Sequence, residues 1–405
     1  MRPAGGDPSL LRRMNAVAVL HALRDNGPQT VTDLAKEIAV SRPTAEEASN
    51  LLAGLGWVVE HTPTPDEPRP PGRPAKQVAF HARAGHVVGI DIGAHRIKTL
   101  VADLTGTVVA RNRAAVTPEE PAEARVTATR RSLSECLRTA QKSLPGEPPA
   151  VMAAAVASTG IIDAAGRVAL SSALPGWTGL NLAAMLSEAL TEELGAAAAP
   201  TLLAVDNDIK LAALAEHWRG AAVDAQNVVY LHAGHRMGAA LLIGGRPHRG
   251  RNGAAGEIGT LKLLGWDHSY ENLLALDPSP MRDADSVARV FSTARDGDAA
   301  AAQAISEFAA DLSRGAAALT LAIDPDLVVI GGGMSQAGAQ LIDPVRRHMD
   351  QMCVFPPKIT ASHLGDESVA LGTVRLALDL VDERLFDPDG SGLAGFTSGR
   401  ETAAR

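Results

Sequence analysis

The sequence predicts an α/β protein in which an N-terminal winged helix-turn-helix precedes a two-lobed α/β domain. Three observations carry this. Short helical stretches follow one another three times before residue 56. A segment over Thr62 to Pro74, TPTPDEPRPPGRP, is too rich in proline for a helix or a central strand. Beyond it, strand-like and helix-like segments alternate in two successive sets, the pattern of stacked α/β layers.

Composition bounds the rest. At 405 residues the chain exceeds one small core and needs at least two folding units. Apolar residues make up 46% and aromatic residues only 3%, so alanine carries much of the core volume. A net charge of −8 excludes polyanion binding by the whole surface and leaves nucleic-acid contact to a local patch. Cys136 and Cys353 are far apart and lack partners at metal-ligand spacing, which predicts two buried thiols rather than a disulfide framework or a cysteine zinc site. No apolar run reaches the roughly 20 residues of a membrane span, and the N-terminus lacks a signal-peptide core. A cytoplasmic location without a membrane partner is expected.

Taken in order, MNAVAVLHALRD (14–25) puts Val17, Leu20 and Leu23 on one helix face, and Asn26-Gly27-Pro28 stops it. VTDLAKEIAV gives a second helix with Thr32 as its cap. Ser41-Arg42-Pro43 starts a third, with an N-cap serine and proline in the first turn, and this helix ends at Gly56. Trp57-Val58-Val59 and Ala75 to Phe80 read as wing strands. A new domain starts near Arg83. VVGIDIG, IKTLVADL and TVVARNRAAV suggest a strand meander, followed by a helix near 121–143 and the strand VMAAAVAS. A second set runs from LLAVDND through the helix LAALAEHWRG, the strands VVYLHAG and AALLIGG, and a helix near 299–323 to LVVIGGG. The expected division is a winged helix-turn-helix over 1–80 and a two-lobed domain over 84–385. Lobe one covers about 84–205 plus a C-terminal helix, and lobe two about 206–365. Residues 386–405, rich in Gly, Ser and Asp, read as a mobile tail.

A recognition helix offers its first turns to base edges in the major groove, which singles out Ser41, Arg42 and Thr44. Arg42 suits guanine and Thr44 a phosphate or base, whereas Glu46 and Glu47 repel phosphate unless one accepts from cytosine. Residues 1–80 hold nine basic and nine acidic residues, so the positive patch is local, with Arg69, Arg73 and Lys76 gathered in the wing. Gly72-Arg73-Pro74 suits a narrow minor groove and equally suits an inter-domain tether. A winged helix also serves protein contacts.

Five segments in order carry a family resemblance: GRPAKQVAFHARAGHVVGIDIG (72–93), LPGW (174–177), DNDIKLAALAEHW (206–218), GAAGEIG (253–259) and DPDLVVIGGGMSQAG (324–338). Together they resemble the ROK family of repressors, open reading frames and sugar kinases, over nearly all residues from 14 to about 380. The resemblance implies an actin-like (ribonuclease H-like), sugar-kinase-type fold of two lobes with a cleft for ATP and sugar. It also implies a homodimer or homotetramer. Asp208 matches the family's general base, with Asn207, Glu257 and Glu271 as sugar ligands. Without the resemblance, Asp208 reads as an ordinary helix N-cap aspartate, which is common at strand-to-helix junctions.

The loops depart from the kinase pattern. After Asp91-Ile92-Gly93 stands Ala94-His95-Arg96 where kinases carry glycine and threonine. The second phosphate loop reads Gly234-His235-Arg236 before Met237-Gly238, and a backbone cradle tolerates few added side chains. Gly331-Gly332-Gly333 is kept, although a glycine turn after a buried strand also has a structural use. The family histidine is Thr260, the asparagine before LPGW is Ala173, and LKLLGWDHSY replaces the cysteine-rich zinc loop, leaving His268 without co-ligands. No metal and no cofactor are therefore expected. The reading that follows is a transcriptional regulator of repressor type that binds double-stranded operator DNA, with a sugar or sugar phosphate as effector. The alternative is an ATP- and magnesium-dependent sugar kinase with Asp208 as base, and a third option is a protein-interaction module.

Overall fold

The structure, a computed structural model, describes residues 8–62, 76–144, 150–195, 202–279, 285–387 and 392–395. Helix α1 (Pro8–Asn26) begins six residues before the expected stretch. A two-residue strand β1 (Gln29–Thr30) leads into α2 (Val31–Glu37). The cap of α2 is Thr30 rather than Thr32: Thr30 has extended backbone, and its hydroxyl accepts from the Asp33 amide at 3.2 Å. Ala39 then adopts a left-handed conformation (φ 55°) and turns the chain into α3 (Arg42–Gly54). Ser41 caps α3, accepting from the Thr44 amide at 3.3 Å. Strands β2 (Val58–His61) and β3 (Gln77–Phe80) form an antiparallel wing, with β1 on the other edge of β3. Residues 63–75 between them, including Arg69, Gly72, Arg73 and Pro74, lie outside the described residues.

Lobe one contains β4 (His86–Ile92), β5 (Arg96–Asp103), β6 (Val108–Ala115), α4 (Ala122–Ser143), β7 (Val151–Ser158), a small hairpin of β8 (Ile161–Ile162) and β9 (Val168–Leu170), α5 (Leu182–Leu194) and β10 (Leu202–Asn207). After α6 (Asp208–Arg219), lobe two contains β11 (Val228–His232), β12 (Gly238–Ile243), β13 (Arg246–Pro247), α7 (Trp266–Leu274), α8 (Ser286–Arg295), α9 (Ala299–Ile323), β14 (Leu327–Gly331), α10 (Ala339–Met352) and β15 (Lys358–Ala361). The two sheets repeat one plan. Each has three antiparallel strands in sequence and two parallel strands added beside the first, giving β10-β7-β4-β5-β6 and β13-β12-β11-β14-β15.

Helix α11 (Ser368–Leu385) returns to lobe one and packs on β4, β7 and α6. Its crossing with α6 is tight, because a Cβ added at Gly372 would fall 1.9 Å from the Leu211 carbonyl oxygen. Only glycine admits that approach.

The winged helix shares one apolar core with lobe one. Leu20, Leu23 and Trp57 join Leu100, Met152 and Val381 in a single cluster, so the two units are held by burial as well as by their linker. The stretch expected as a mobile tail starts instead as packed chain. Phe386 lies 4.1 Å from the His21 ring, and the short helix α12 (Gly392–Gly395) buries Leu393, whose carbonyl accepts from the Trp57 indole at 3.0 Å. One leucine among polar residues leaves no periodicity for sequence reading to find. Among the described residues no helix is long and apolar enough to cross a membrane.

Candidate functional site

Strand register brings the lobe-one candidates into a row. Ile92 on β4 pairs with Ser158 on β7, and Ser158 pairs with Asn207 on β10. The turns after the three strands therefore open side by side at the C-terminal edge, where open α/β sheets bind ligands. Asn207 caps α6, with its Oδ1 accepting from the Ile209 and Lys210 amides at 2.9 and 3.1 Å. Its Nδ2 donates to the Gly160 carbonyl at 2.9 Å, which ties this turn to the one after β7. Asn207 thus uses its Oδ1 for capping and one Nδ2 hydrogen to join the two turns.

Asp208, Asp91 and Glu257 form the acidic centre. Burial raises Asp208 to about 7, with the charges of Asp91 and Glu257 adding to the rise and the Ile209 amide opposing it. Burial likewise raises Asp91 to about 6 against the opposing pull of Lys98 and Arg96, and it raises Glu257 against Lys210. Glu271 lies on α7 with its side chain exposed. Sequence reading missed Lys210, a buried lysine two residues after Asp208, which donates to the Gly253 carbonyl at 2.8 Å. A lysine on a helix face otherwise made of Leu and Ala was the available signal. Asp206 is paired with Arg249 at 2.6 Å.

The first of the phosphate-loop positions is a closed turn. Gly93 donates to the Arg96 carbonyl at 2.9 Å in a tight hairpin, and buried Arg125 fastens the same turn through the Gly93 carbonyl at 2.6 Å. Arg96, Lys98 and Arg113 reach Asp366, and Lys98 also faces Glu367 at 3.7 Å, so carboxylates of the chain itself neutralise the cations beside this turn. In lobe two, a Cβ at Gly331 would fall 2.0 Å from the Tyr230 hydroxyl oxygen, and Gly332 sits at φ +84° against the Ala233 carbonyl. Both glycines serve the turn itself, whereas Gly333 faces open space. In the segment replacing the zinc loop, Trp266 is buried and donates to the Asp311 carbonyl at 2.8 Å. His268 is exposed. Among the described residues no group of three or more His, Cys, Asp or Glu side chains could share a metal ion.

At the other end, α3 buries Ala45, Ala48, Ser49 and Leu52 and turns Arg42, Glu46, Glu47 and Asn50 outward. Arg42 has no acidic partner among the described residues. Glu47 pairs with Arg12 at 3.0 Å, which removes much of the repulsion it would offer to phosphate. The Ser41 and Thr44 hydroxyls bond each other at 2.8 Å within the cap, and Lys76 in the wing lies 3.1 Å from Glu60. Asn50, just over two turns beyond Arg42 along α3, is an exposed base-reading candidate that the sequence reading passed over.

Comparison with known proteins agrees with this architecture. The model for the ROK family matches residues 87–268 and 268–380. The chain is 23% identical over 414 residues to the xylose repressor of Caldicellulosiruptor bescii, covering 92% of this chain and 97% of that protein. It is 24% identical to the DNA-binding transcriptional dual regulator NagC of Escherichia coli, covering 65% of this chain and 62% of that one. Among solved structures, a ROK family transcriptional regulator homologous to the Escherichia coli Mlc protein superimposes with a TM-score of 0.69 at 19% identity, over 96% of this chain and all of that one.

Proposed function

The chain belongs to the ROK family, and on that premise we propose that it is a DNA-binding transcriptional repressor whose winged helix is controlled by a small, sugar-derived molecule in the inter-lobe cleft. A repressor that matches nearly its whole length supports this reading. One structural observation carries it. Helix α6, which begins at Asp208, crosses α11 at Gly372, and α11 shares its apolar core with the winged helix. A ligand that shifts α6 therefore has a packed route to the DNA-reading end. Such a ligand acts only through unequal affinity for the DNA-competent and incompetent states, and closure of two lobes supplies that inequality.

Arg42 leads the contact with bases, with Arg73 and Lys76 supporting it from the wing. A homodimer presents two winged helices to a two-part operator. A chain that reads genomic DNA works where that DNA is, which is the cytoplasm in a cell without a nucleus.

A kinase would also use Asp208, whose raised pKa suits a general base. The turn at Gly93–Arg96, closed and neutralised from within, does not fit a nucleotide held by backbone amides. The test is retention of genomic fragments by the full-length protein at fixed salt, with and without glucose, xylose and N-acetylglucosamine or their phosphate esters. Selective retention that one of these compounds alters is expected. Sugar-dependent ADP release abolished by Asp208→Asn would replace this reading with the kinase.

A further inference from the structure

The face that α3 turns away from the core is centred on a carboxylate. Ala45, Ala48, Ser49 and Leu52 are buried and mark the inner side of the helix. At 3.6 residues per turn the positions opposite them are Pro43, Glu47 and Asn50, all exposed, while Arg42 and Glu46 stand to one side of that line. Glu47 therefore points outward from the middle of the reading face. An acidic side chain in that place costs affinity for every DNA sequence unless a cation offsets it.

The cation comes from α1. Arg12 Nε lies 3.0 Å from Glu47 Oε1, with both side chains more than half exposed. Arg12, Asn15, Thr44 and Glu47 line one groove between the two helices, which places Arg12 beside the first turns of α3. The early start of α1, at Pro8, is what carries Arg12 there; a helix beginning at Met14 would leave it outside. Among the described residues Glu46 has no such partner. A carboxylate has about four acceptor sites, so the ion pair leaves others open to a base.

In the major groove only cytosine N4 and adenine N6 donate, and the adenine amino group stands beside N7, an acceptor that repels a carboxylate. With α3 as the reading helix of the proposed repressor, we infer that Glu47 determines specificity by accepting from the amino group of a cytosine, while Arg12 offsets its charge against the flanking phosphates. Guanine or thymine in that place sets a carbonyl oxygen against the carboxylate, so wrong sequences are rejected by repulsion as well as right ones held.

The test is selection of bound duplexes from a random library by the full-length protein at one fixed salt concentration. Affinities for the winning sequence and for bulk DNA are then measured with wild type, Glu47→Ala, Glu47→Gln, Glu46→Ala and Arg12→Ala. Wild type should enrich a motif with a cytosine in each half-site whose replacement costs about fivefold or more in affinity. Glu47→Ala should erase the preference at that position alone, keep the base read by Arg42 and bind bulk DNA more tightly. Glu47→Gln should move the preference to adenine, because an amide matches adenine N6 and N7 together. Glu46→Ala should leave the cytosine in place, and Arg12→Ala should keep it while weakening selected and bulk DNA alike. The Glu47 side chain is exposed, so the melting temperatures of its variants should match wild type. A Glu47→Ala motif identical to that of wild type, or a cytosine erased instead by Glu46→Ala, overturns the assignment and leaves the repressor reading standing. A wild type that enriches no motif overturns both.

Discussion

Arg24, in the first helix of the winged helix-turn-helix, grips Asp382 of α11 with both terminal guanidinium nitrogens, the second at 2.8 Å. Arg375 donates to the same carboxylate at 2.6 Å and also to Asp379. Phe386 lies under the Arg24 guanidinium, 4.9 Å from its ring centre. The helix that crosses α6 thus adds a shared carboxylate to the apolar core by which it holds the winged helix.

If this contact carries the coupling, Asp382→Asn and Arg24→Ala should separate the two ends of the molecule. Effector binding should persist. The ratio of operator affinities with and without effector, typically about 5- to 150-fold in coupled proteins, should fall toward one. Fluorescence anisotropy on a labelled operator at fixed salt measures it, and an unchanged ratio in both variants counts against this route.

The C-terminal segment should contribute to global stability. Leu393 is 2% exposed in the core shared by the winged helix and lobe one. Leu393→Ala should cost about 2–3 kcal/mol in urea unfolding, by lost burial and the cavity left behind. A loss below about 0.5 kcal/mol would mean that α12 does not hold the winged helix.

Stability should depend on pH through Asp208. Its pKa in the folded chain is about 7 against an ordinary 3.8, so the native state binds the proton more tightly between those values. The stability contributed by this group is fully present below about pH 4 and is lost as pH rises to about 7. Asp91, raised to about 6, acts in the same direction. Enclosed His232, lowered by burial from 6.5 to about 4, acts oppositely between those values. Asp208→Asn should therefore be more stable than wild type at pH 8 and match it near pH 4. Each kcal/mol appears as about 2–4 °C in thermal melts. Equal melting temperatures at pH 8 would show that the carboxylate is not desolvated.

Ala39 is a simpler case. Its left-handed conformation in the turn before α3 suits glycine better than alanine. Ala39→Gly should stabilise the winged helix by about 0.5–1 kcal/mol, read by urea unfolding, without changing DNA affinity.

Much of this architecture was legible in the sequence because its signals are local. The apolar runs at Val87–Ile92 and Leu327–Ile330, the capping serine at 41 and the long helix ending at Ile323 are written in short stretches and lie where expected. The candidate site was legible in its chemistry and less so in its use. Asp208 and Glu257 meet at one electrostatic centre, while Asn207 caps α6 and Glu271 stands exposed. What escaped depends on contacts between distant residues. Lys210, the Asp366 carboxylate on Arg96, the Arg236 bridge to Ser172 and the docking of Leu393 arise from chain crossings that no local periodicity encodes.

The central claim is that α3 reads DNA sequence, and its most direct test is the specificity ratio. Affinity for a genomic fragment selected by the full-length protein is divided by affinity for bulk DNA at one fixed, near-physiological salt concentration. A point variant is the right control, because deleting the winged helix would strip the core it shares with lobe one. The account predicts a ratio of about 10³ or more for wild type, reduced about tenfold or more by Arg42→Ala with relaxed preference at one base pair of each half-site. A ratio near one for wild type, or a high ratio untouched by Arg42→Ala and by substitution of Asn50, would contradict it.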